Sequence, residues 1–151
     1  MAGCALAAPA EAAGRLADGV YSNVCLYPET DDIGGFEVSL HHLGRHPQVG
    51  IVICEGGCWR GVVSSVARSK DGLSFTVTEE LLDQNGHPAT PAISHYRVRA
   101  QGRSLILSSS DFGDFRRAAL RPWTRTPKGG GADAVAPSDK EPTPAPVGRC
   151  R

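Results

Sequence analysis

The sequence lacks the features that mark several large classes of protein. No apolar run approaches the roughly 18 residues of a membrane-spanning helix. The 151 residues carry 16 basic and 16 acidic side chains, and the stretch 19–123 is close to neutral as well, with ten Arg and Lys against eleven Asp and Glu. Because nucleic-acid-binding domains present a basic surface, we expect no DNA or RNA partner.

Helical and catalytic patterns are also scarce. The one helical candidate, TEELLDQ (78–84), is too short to stand alone. The stretch SSSDFGD (108–114) offers serines and carboxylates without a G-x-S-x-G motif or a positioned histidine, so it predicts no hydrolase site. His41 and His42 are neighbours on a predicted strand and face opposite ways, so at most one could join His46 in a metal site. We therefore expect a protein that is not an enzyme and has no resident cofactor.

Composition divides the chain into three parts. Residues 1–18 lack the basic segment and the apolar core of a signal peptide. However, AGC at positions 2–4 resembles the end of a bacterial lipobox. This resemblance would make Cys4 a lipidation site and residues 5–18 a tether. Residues 19–123 form the predicted domain. Residues 124–151 are rich in Pro, Gly and Ala and predict a disordered tail that contains Cys150.

The domain consists of short β-type runs separated by turn residues. Several runs alternate between apolar and polar side chains, as Leu73, Phe75 and Val77 do with the residues between them, and this predicts strands with one buried face. The predicted strands are 19–27, 35–43, 48–54, 58–69, 73–82, 94–101, 103–109 and 115–123. Eight strands with tight connections predict an all-β, antiparallel up-and-down meander that closes into a small barrel, with a small β-sandwich as the alternative.

A family resemblance accompanies this pattern. Gly19-Val20-Tyr21 on the first strand and Arg121 on the last resemble the G-x-[WY] motif and the terminal basic residue of the lipocalin-like (calycin) barrels. The opening GVYSNVC, the acidic ETDDIGG and the final LRP are also similar to small exported bacterial barrel proteins. The resemblance implies a barrel in which Tyr21 and Arg121 pack together at the closed end. The chain departs from the family in having tyrosine at position 21, where tryptophan is usual.

The motif CEGGC (54–58) predicts a hairpin. A three-residue loop places Cys54 opposite Cys58, Ile53 opposite Trp59 and Val52 opposite Arg60, with the left-handed residue at Gly57. One face then carries the predicted interior residues Val49, Ile51, Ile53, Trp59, Gly61 and Val63. The other carries the predicted exterior residues Gly50, Val52, Cys54, Cys58, Arg60, Val62, Ser64 and Arg68.

The cysteines favour disulfides over redox or zinc chemistry. No α/β frame surrounds a C-x-x-C motif, and no second Cys or His pair completes a zinc site. A Cys54–Cys58 disulfide is feasible at the distance between opposed strand residues. Cys25 competes for either partner, and with Cys150 three pairings stay open. Cysteine use of this kind favours export, to the periplasm or to a membrane through a lipid anchor on Cys4.

Charge is sorted between the two ends of the predicted barrel. The odd-numbered loops share one end and carry Glu29, Asp31, Asp32, Glu55, Asp83, Asp111 and Asp114. The even-numbered loops share the other end and carry Arg45, His46, Lys70 and Arg103, with Asp71 as the one acid. In lipocalin-like barrels the odd-numbered loops ring the open mouth. The sorting predicts an acidic mouth above an inward-facing Trp59, suited to a small ligand, a cation or Ca²⁺.

Two functions follow from these patterns. The first is a monomeric cell-envelope binding protein that holds a small ligand or cation at the acidic mouth, through Trp59 and the carboxylates. The second is an envelope interaction or inhibitor module that binds a protein and has no internal ligand. The first requires a hollow barrel lined by small residues such as Gly61, Ser65 and Ala67. The second requires a filled core and an apolar patch on the loops.

Overall fold

Nine β-strands and no helix make up the part of the chain that the computed structural model describes, residues 14–109, 111, 118–122 and 148–150. The strands are β1 (Gly19–Ser22), β2 (Cys25–Tyr27), β3 (Asp32–His41), β4 (Gln48–Glu55), β5 (Gly57–Ser69), β6 (Gly72–Glu79), β7 (Ala92–Gln101), β8 (Ser104–Ser109) and β9 (Ala118–Pro122). Within these ranges, no helix is long and apolar enough to cross a bilayer.

Eight of the strands close into an antiparallel barrel. Each strand from β3 to β9 pairs with the next one along the chain, and β1 closes the ring by pairing with both β3 and β9. Strand β2 is the extra strand, and it pairs with the beginning of β3. The structure therefore confirms the eight-stranded up-and-down barrel. Among the described strands, closure leaves the edge of β2 outside the ring.

The first predicted strand, 19–27, is divided into β1 and β2 by an irregularity at Asn23 and Val24. The backbone N–H of Asn23 donates to the carbonyl of Phe36 at 3.0 Å, and its Oδ1 accepts from the N–H of Phe36 at 2.8 Å. Gly35 makes this possible, since it has a φ of 114° and a Cβ there would lie 2.8–3.0 Å from atoms of Asn23 and Val24. Only glycine accepts both constraints at low cost.

The barrel interior is filled with large side chains. Thirteen buried residues form one cluster: Tyr21, Val38, Leu40, Ile51, Ile53, Leu73, Phe75, Val77, Tyr96, Val98, Leu105, Leu107 and Leu120. Phe75 stacks on Tyr96 with ring centroids 5.9 Å apart, and Phe36 meets Tyr96 edge-on at 6.5 Å. Aromatic pairs of this kind add about 0.5–1.5 kcal/mol beyond the burial of their area.

This packing does not leave the hollow interior that is expected for a ligand-binding barrel. Gly61 is buried, and a Cβ at that position would lie 2.4 Å from Cγ1 of Val77. Ser65 and Ala67, which were expected to line the interior, are solvent-exposed. The two positions left the interior because the strand bulges between Ser64 and Ala67, where Ser65 has a left-handed φ of 53°.

The closed-end packing implied by the lipocalin-like motif is also absent. Tyr21 pairs with Pro122, whereas Arg121 pairs with Ser22. Adjacent residues of a strand point to opposite faces, so buried Tyr21 and exposed Arg121 lie on opposite sides of the barrel wall. The Tyr21 hydroxyl instead donates to the carbonyl of Ala17 at 2.9 Å.

Candidate functional sites at the two ends of the barrel

The CEGGC hairpin has the register that its sequence predicts. Cys54 pairs with Cys58, Ile53 with Trp59 and Val52 with Arg60. The turn differs in one respect, since the left-handed residue is Gly56, with a φ of 77°, and not Gly57. Glu55 and Gly57 still pair with each other, so the strands continue one residue further towards the tip than expected.

The Cys54–Cys58 disulfide lies on the outer side of the wall but is not exposed. Its Cα atoms are 4.1 Å apart, and each cysteine is only 4% exposed. A second apolar cluster covers the sulfurs, formed by the two cysteines with Val24, Val52 and Ile33. The two cysteines lie on the predicted outer face, and the irregularity after β1 carries Val24 over this part of the sheet. The disulfide is thus a packed structural element.

A second disulfide joins Cys25 to Cys150, at a sequence separation of 125 and a Cα separation of 5.0 Å. The surrounding chain pairs with β2: the N–H of Leu26 donates to the Gly148 carbonyl at 3.0 Å, and the N–H of Cys150 donates to the Leu26 carbonyl at 2.8 Å. Of the three pairings that the sequence left open, the structure has Cys25 with Cys150 and Cys54 with Cys58. The segment 148–150 covers the β2 edge that barrel closure leaves outside the ring.

The acidic residues predicted for the odd-numbered loops lie at one end of the barrel, on the connections after β2, β4, β6 and β8 or, for Asp32 and Glu55, at the strand ends beside them. Those that the structure describes are all exposed: Glu29, Asp31, Asp32, Glu55, Asp83 and Asp111. Asp114, like Cys4, lies outside the described residues. No group of three or more His, Cys, Asp or Glu side chains in the described part of the chain is arranged to hold a metal ion. The geometry therefore supplies no Ca²⁺ cage there.

Two of these carboxylates hold loop backbone in place. Asp83 accepts hydrogen bonds from the N–H groups of Asn85 at 2.7 Å and His87 at 3.0 Å. Asp111 accepts from the backbone N–H of His95 and lies 3.1 Å from the Nδ1 of the same histidine. These backbone hydrogen bonds are the main cause that lowers the pKa of each carboxyl group below its ordinary value of 3.8. Both side chains thus stabilise the conformation of the loops.

Trp59 faces inward at this end, as the hairpin register predicts. It is partly buried against the main core, and its indole Nε1–H donates to Oε2 of Glu79 at 3.1 Å. Glu79 is only 6% exposed, and the sequence analysis did not select it. The signal was available, because Glu79 continues the inward alternation of Leu73, Phe75 and Val77 along β6. A tryptophan and a buried carboxylate therefore meet beneath the acidic loops.

The opposite end of the barrel is crossed by residues 14–18, a stretch that the sequence had suggested to be part of a tether. Leu16 packs against the main core. The Asp18 carboxylate accepts from the backbone N–H groups of His42 and Leu43, both at 3.1 Å. A Cβ on Gly14 would lie 2.7 Å from the carbonyl oxygen of Gly102 in the β7–β8 turn. The segment therefore runs from that turn to the β3–β4 loop.

A cavity of about 910 Å³ opens beside this segment, bounded by the end of β3, the β5–β6 turn and the end of β7. It is lined by Gly14, Arg15, Leu16, Leu43, Gly44, Arg68, Ser69, Lys70, Asp71, Gly72, Leu73, Arg99, Ala100 and Gln101. Lys70 and Asp71 lie at the end that their loop predicts, whereas the presence of Arg15, Arg68 and Arg99 in the same lining has no signal in the sequence. Arg68 was assigned to the outer wall by alternation, which the bulge at Ser65 reverses.

Comparison with known proteins gave no further guidance. No family model matches the chain. No curated protein and no solved structure matches it either.

Proposed function

We propose that this protein is an exported interaction module: a small, disulfide-bonded β-barrel of the lipocalin-like kind that binds a protein partner through its acidic end. The observation that carries the proposal is the filled interior. The stacked Phe75 and Tyr96 and their buried neighbours occupy the space that an internal ligand would need. Of the two functions that the sequence suggests, a filled core supports the second.

An exposed apolar surface supports the same function. Val62 on β5 and Ile93 on β7 are 59% and 61% exposed, and both are cross-strand neighbours of Thr78 on the outer wall. The loop that follows β6 adds Leu81 and Leu82, which are 42% and 68% exposed. Single exposed apolar side chains are common, but four on neighbouring strands and their connecting loop are typical of a contact surface.

The charge around this surface indicates the kind of partner. The described loops at the same end carry six exposed carboxylates and, between β6 and β7, also Glu80. A partner with a basic rim around apolar side chains complements such a surface. Complementary charge of this kind raises the association rate and excludes acidic competitors more than it adds affinity.

Export is supported by the two disulfides, which form and persist mainly in oxidising compartments. One of them ties the C-terminal segment to the barrel, and the other is packed into a small core of its own. Lipidation of Cys4 would place the module at a membrane surface. Both statements are tested by thiol titration and mass measurement of the protein isolated from its native compartment.

Site-specific photocrosslinking tests the interaction. A benzoylphenylalanine at Leu82 should crosslink one protein in native cells, and the same residue at Arg103, at the opposite end, should not. With that partner purified, Val62→Glu should weaken binding on the order of 30-fold, since a contact of this kind contributes about 2 kcal/mol. Ser64→Glu, also exposed and on the same face of β5, should change it less than threefold. Equal crosslinking from Arg103, or an unchanged affinity for Val62→Glu, would refute the proposal.

A small cation bound at the acidic end is the second candidate. The pairing of Trp59 with the buried carboxylate of Glu79 favours it, because an indole face and a carboxylate together attract organic cations. Titration with tetramethylammonium tests it. Saturable quenching of tryptophan fluorescence that disappears in Trp59→Phe would support the site, and no change up to millimolar concentrations would exclude it.

A further inference from the structure

The cavity at the end opposite the acidic loops is positively charged, as sites that bind anions are. Its lining contains four cationic side chains, Arg15, Arg68, Lys70 and Arg99, against the single carboxylate of Asp71, a formal charge of +3. The cations come from three separate parts of the chain, namely the N-terminal segment, β5 with its following turn, and β7. In the described part of the chain, none of the four forms an ion pair with an acid. Their positive charge is therefore not neutralised by a described acid and favours an anion at the cavity.

The backbone shows that this gathering is built by a specific distortion. Regular alternation would place Arg68 on the outer wall with Ser64. Ser65 instead takes a left-handed conformation, with a φ of 53°, and the strand slips in register between Ser64 and Ala67. Arg68 then pairs with Leu73, whose side chain is buried in the core, and so stands on the inner side at the barrel rim. Left-handed non-glycine residues are costly and often occur at binding sites.

Three leucines give the cavity an apolar part, beside the polar Ser69 and Gln101. Leu73 is 1% exposed and forms part of the floor, and Leu16 and Leu43 are half-buried members of the lining that pack against the same core. The volume of about 910 Å³ lies within the range of small-molecule sites. A ligand that satisfies both parts of the lining has an anionic head group and a short apolar body.

We infer that this cavity binds a small anionic amphiphile, with its carboxylate or phosphate at the arginines and its apolar body over the leucines. The site is independent of the proposed protein interface, which lies at the other end of the barrel. Arg68, on the inner side of the rim, suits such a head group because a guanidinium binds a carboxylate or a phosphate through two parallel hydrogen bonds.

Amide chemical shifts of the full chain locate binding directly. Octanoate and octyl phosphate should shift the resonances of residues 43–44, 68–72 and 100–101, and octylammonium at the same concentration should not. Octyl phosphate should bind at least tenfold more tightly than inorganic phosphate. The inference is overturned if no resonance of these residues moves, if octylammonium binds equally well, or if inorganic phosphate binds as tightly as octyl phosphate.

Variants separate head-group binding from general charge. Arg68→Gln should weaken octyl phosphate binding on the order of tenfold, as expected for one charge-assisted contact. Arg60→Gln, an exposed arginine of the same strand on the opposite face, removes the same charge and should change the affinity less than twofold. Equal weakening by the two variants would mean attraction by net charge alone and would overturn the site. Val62→Glu, which tests the protein interface, should leave octyl phosphate binding unchanged.

Discussion

Removal of the Cys25–Cys150 disulfide should destabilise the protein far more than removal of Cys54–Cys58. In the chain-entropy description, a cross-link stabilises the fold by restricting the unfolded chain, and its effect grows with the length of the closed loop. The first disulfide closes a loop of 125 residues and the second a loop of only four. The same relation gives about 5 kcal/mol for the first and about 2 kcal/mol for the second.

Local contacts change this difference little. Cys54→Ala/Cys58→Ala removes two buried sulfur atoms, which adds about 1–2 kcal/mol to its cost. Cys25→Ala/Cys150→Ala releases the two backbone hydrogen bonds to Leu26, which add about the same. A difference of about 3 kcal/mol therefore survives, a large share of the roughly 5–15 kcal/mol by which domains are stable.

Urea unfolding of the two double variants, monitored by fluorescence, measures this difference. The wild-type protein, in its oxidised state, is the reference, and the slopes of free energy against urea must be compared, because an opened loop exposes more surface in the unfolded chain. Equal losses of unfolding free energy, or a larger loss in Cys54→Ala/Cys58→Ala, would refute the reasoning. That result would mean that the C-terminal segment 148–150 does not hold the barrel together.

Three further predictions concern the core, the acidic end and the buried tyrosine. Gly61→Ala should lower the free energy of unfolding by about 1–3 kcal/mol, because its Cβ would lie 2.4 Å from a buried valine methyl group. A urea midpoint equal to that of the wild type would contradict this. In Asp111→Asn, the free energy of unfolding should fall less between pH 5 and 2 than in the wild type, as measured by urea unfolding at each pH. The hydrogen bond from the His95 N–H lowers the Asp111 pKa. The carboxylate therefore stabilises the fold above pH 3.8, and this stabilisation is lost as the pH falls. Burial raises the pKa of Tyr21 above 10.0, so the folded state keeps a proton that the unfolded chain loses, and stability should fall as pH rises past that value. The stability of Tyr21→Phe should fall less steeply with pH above that value. A slope equal to that of the wild type would contradict the raised pKa of Tyr21.

Features that depend on local pairing were predictable from the sequence. The alternation around Phe75 predicts strands with one buried face, and the short turn-rich connections predict their antiparallel order. The hairpin register followed from the two glycines of CEGGC, and the pairing of Ile53 with Trp59 has the predicted register. These features depend on contacts between residues close in sequence, where side-chain size and turn chemistry leave few alternatives.

Features that depend on distant chain segments were not predictable. The sequence left three cysteine pairings open, and only the position of the C-terminal segment beside β2 selects Cys25–Cys150. The cover over Cys54 and Cys58 depends on Val24, which reaches them through an irregularity opposite Gly35. The alternation of side chains along a strand does not predict such an irregularity.

An all-β barrel, its strand order and the separation of acidic from basic loops follow from the amino-acid pattern alone, because alternation and turn residues act over a few neighbouring positions. Only the tertiary structure decided that the interior is filled and that the cavity lies at the basic end. A single left-handed residue, Ser65, turns Arg68 from the outer wall to the rim, where the cavity lining also includes Arg15 and Arg99 from distant parts of the chain. The physical reason is that a β-strand has a period of two, so one bulged residue reverses the face of every side chain that follows.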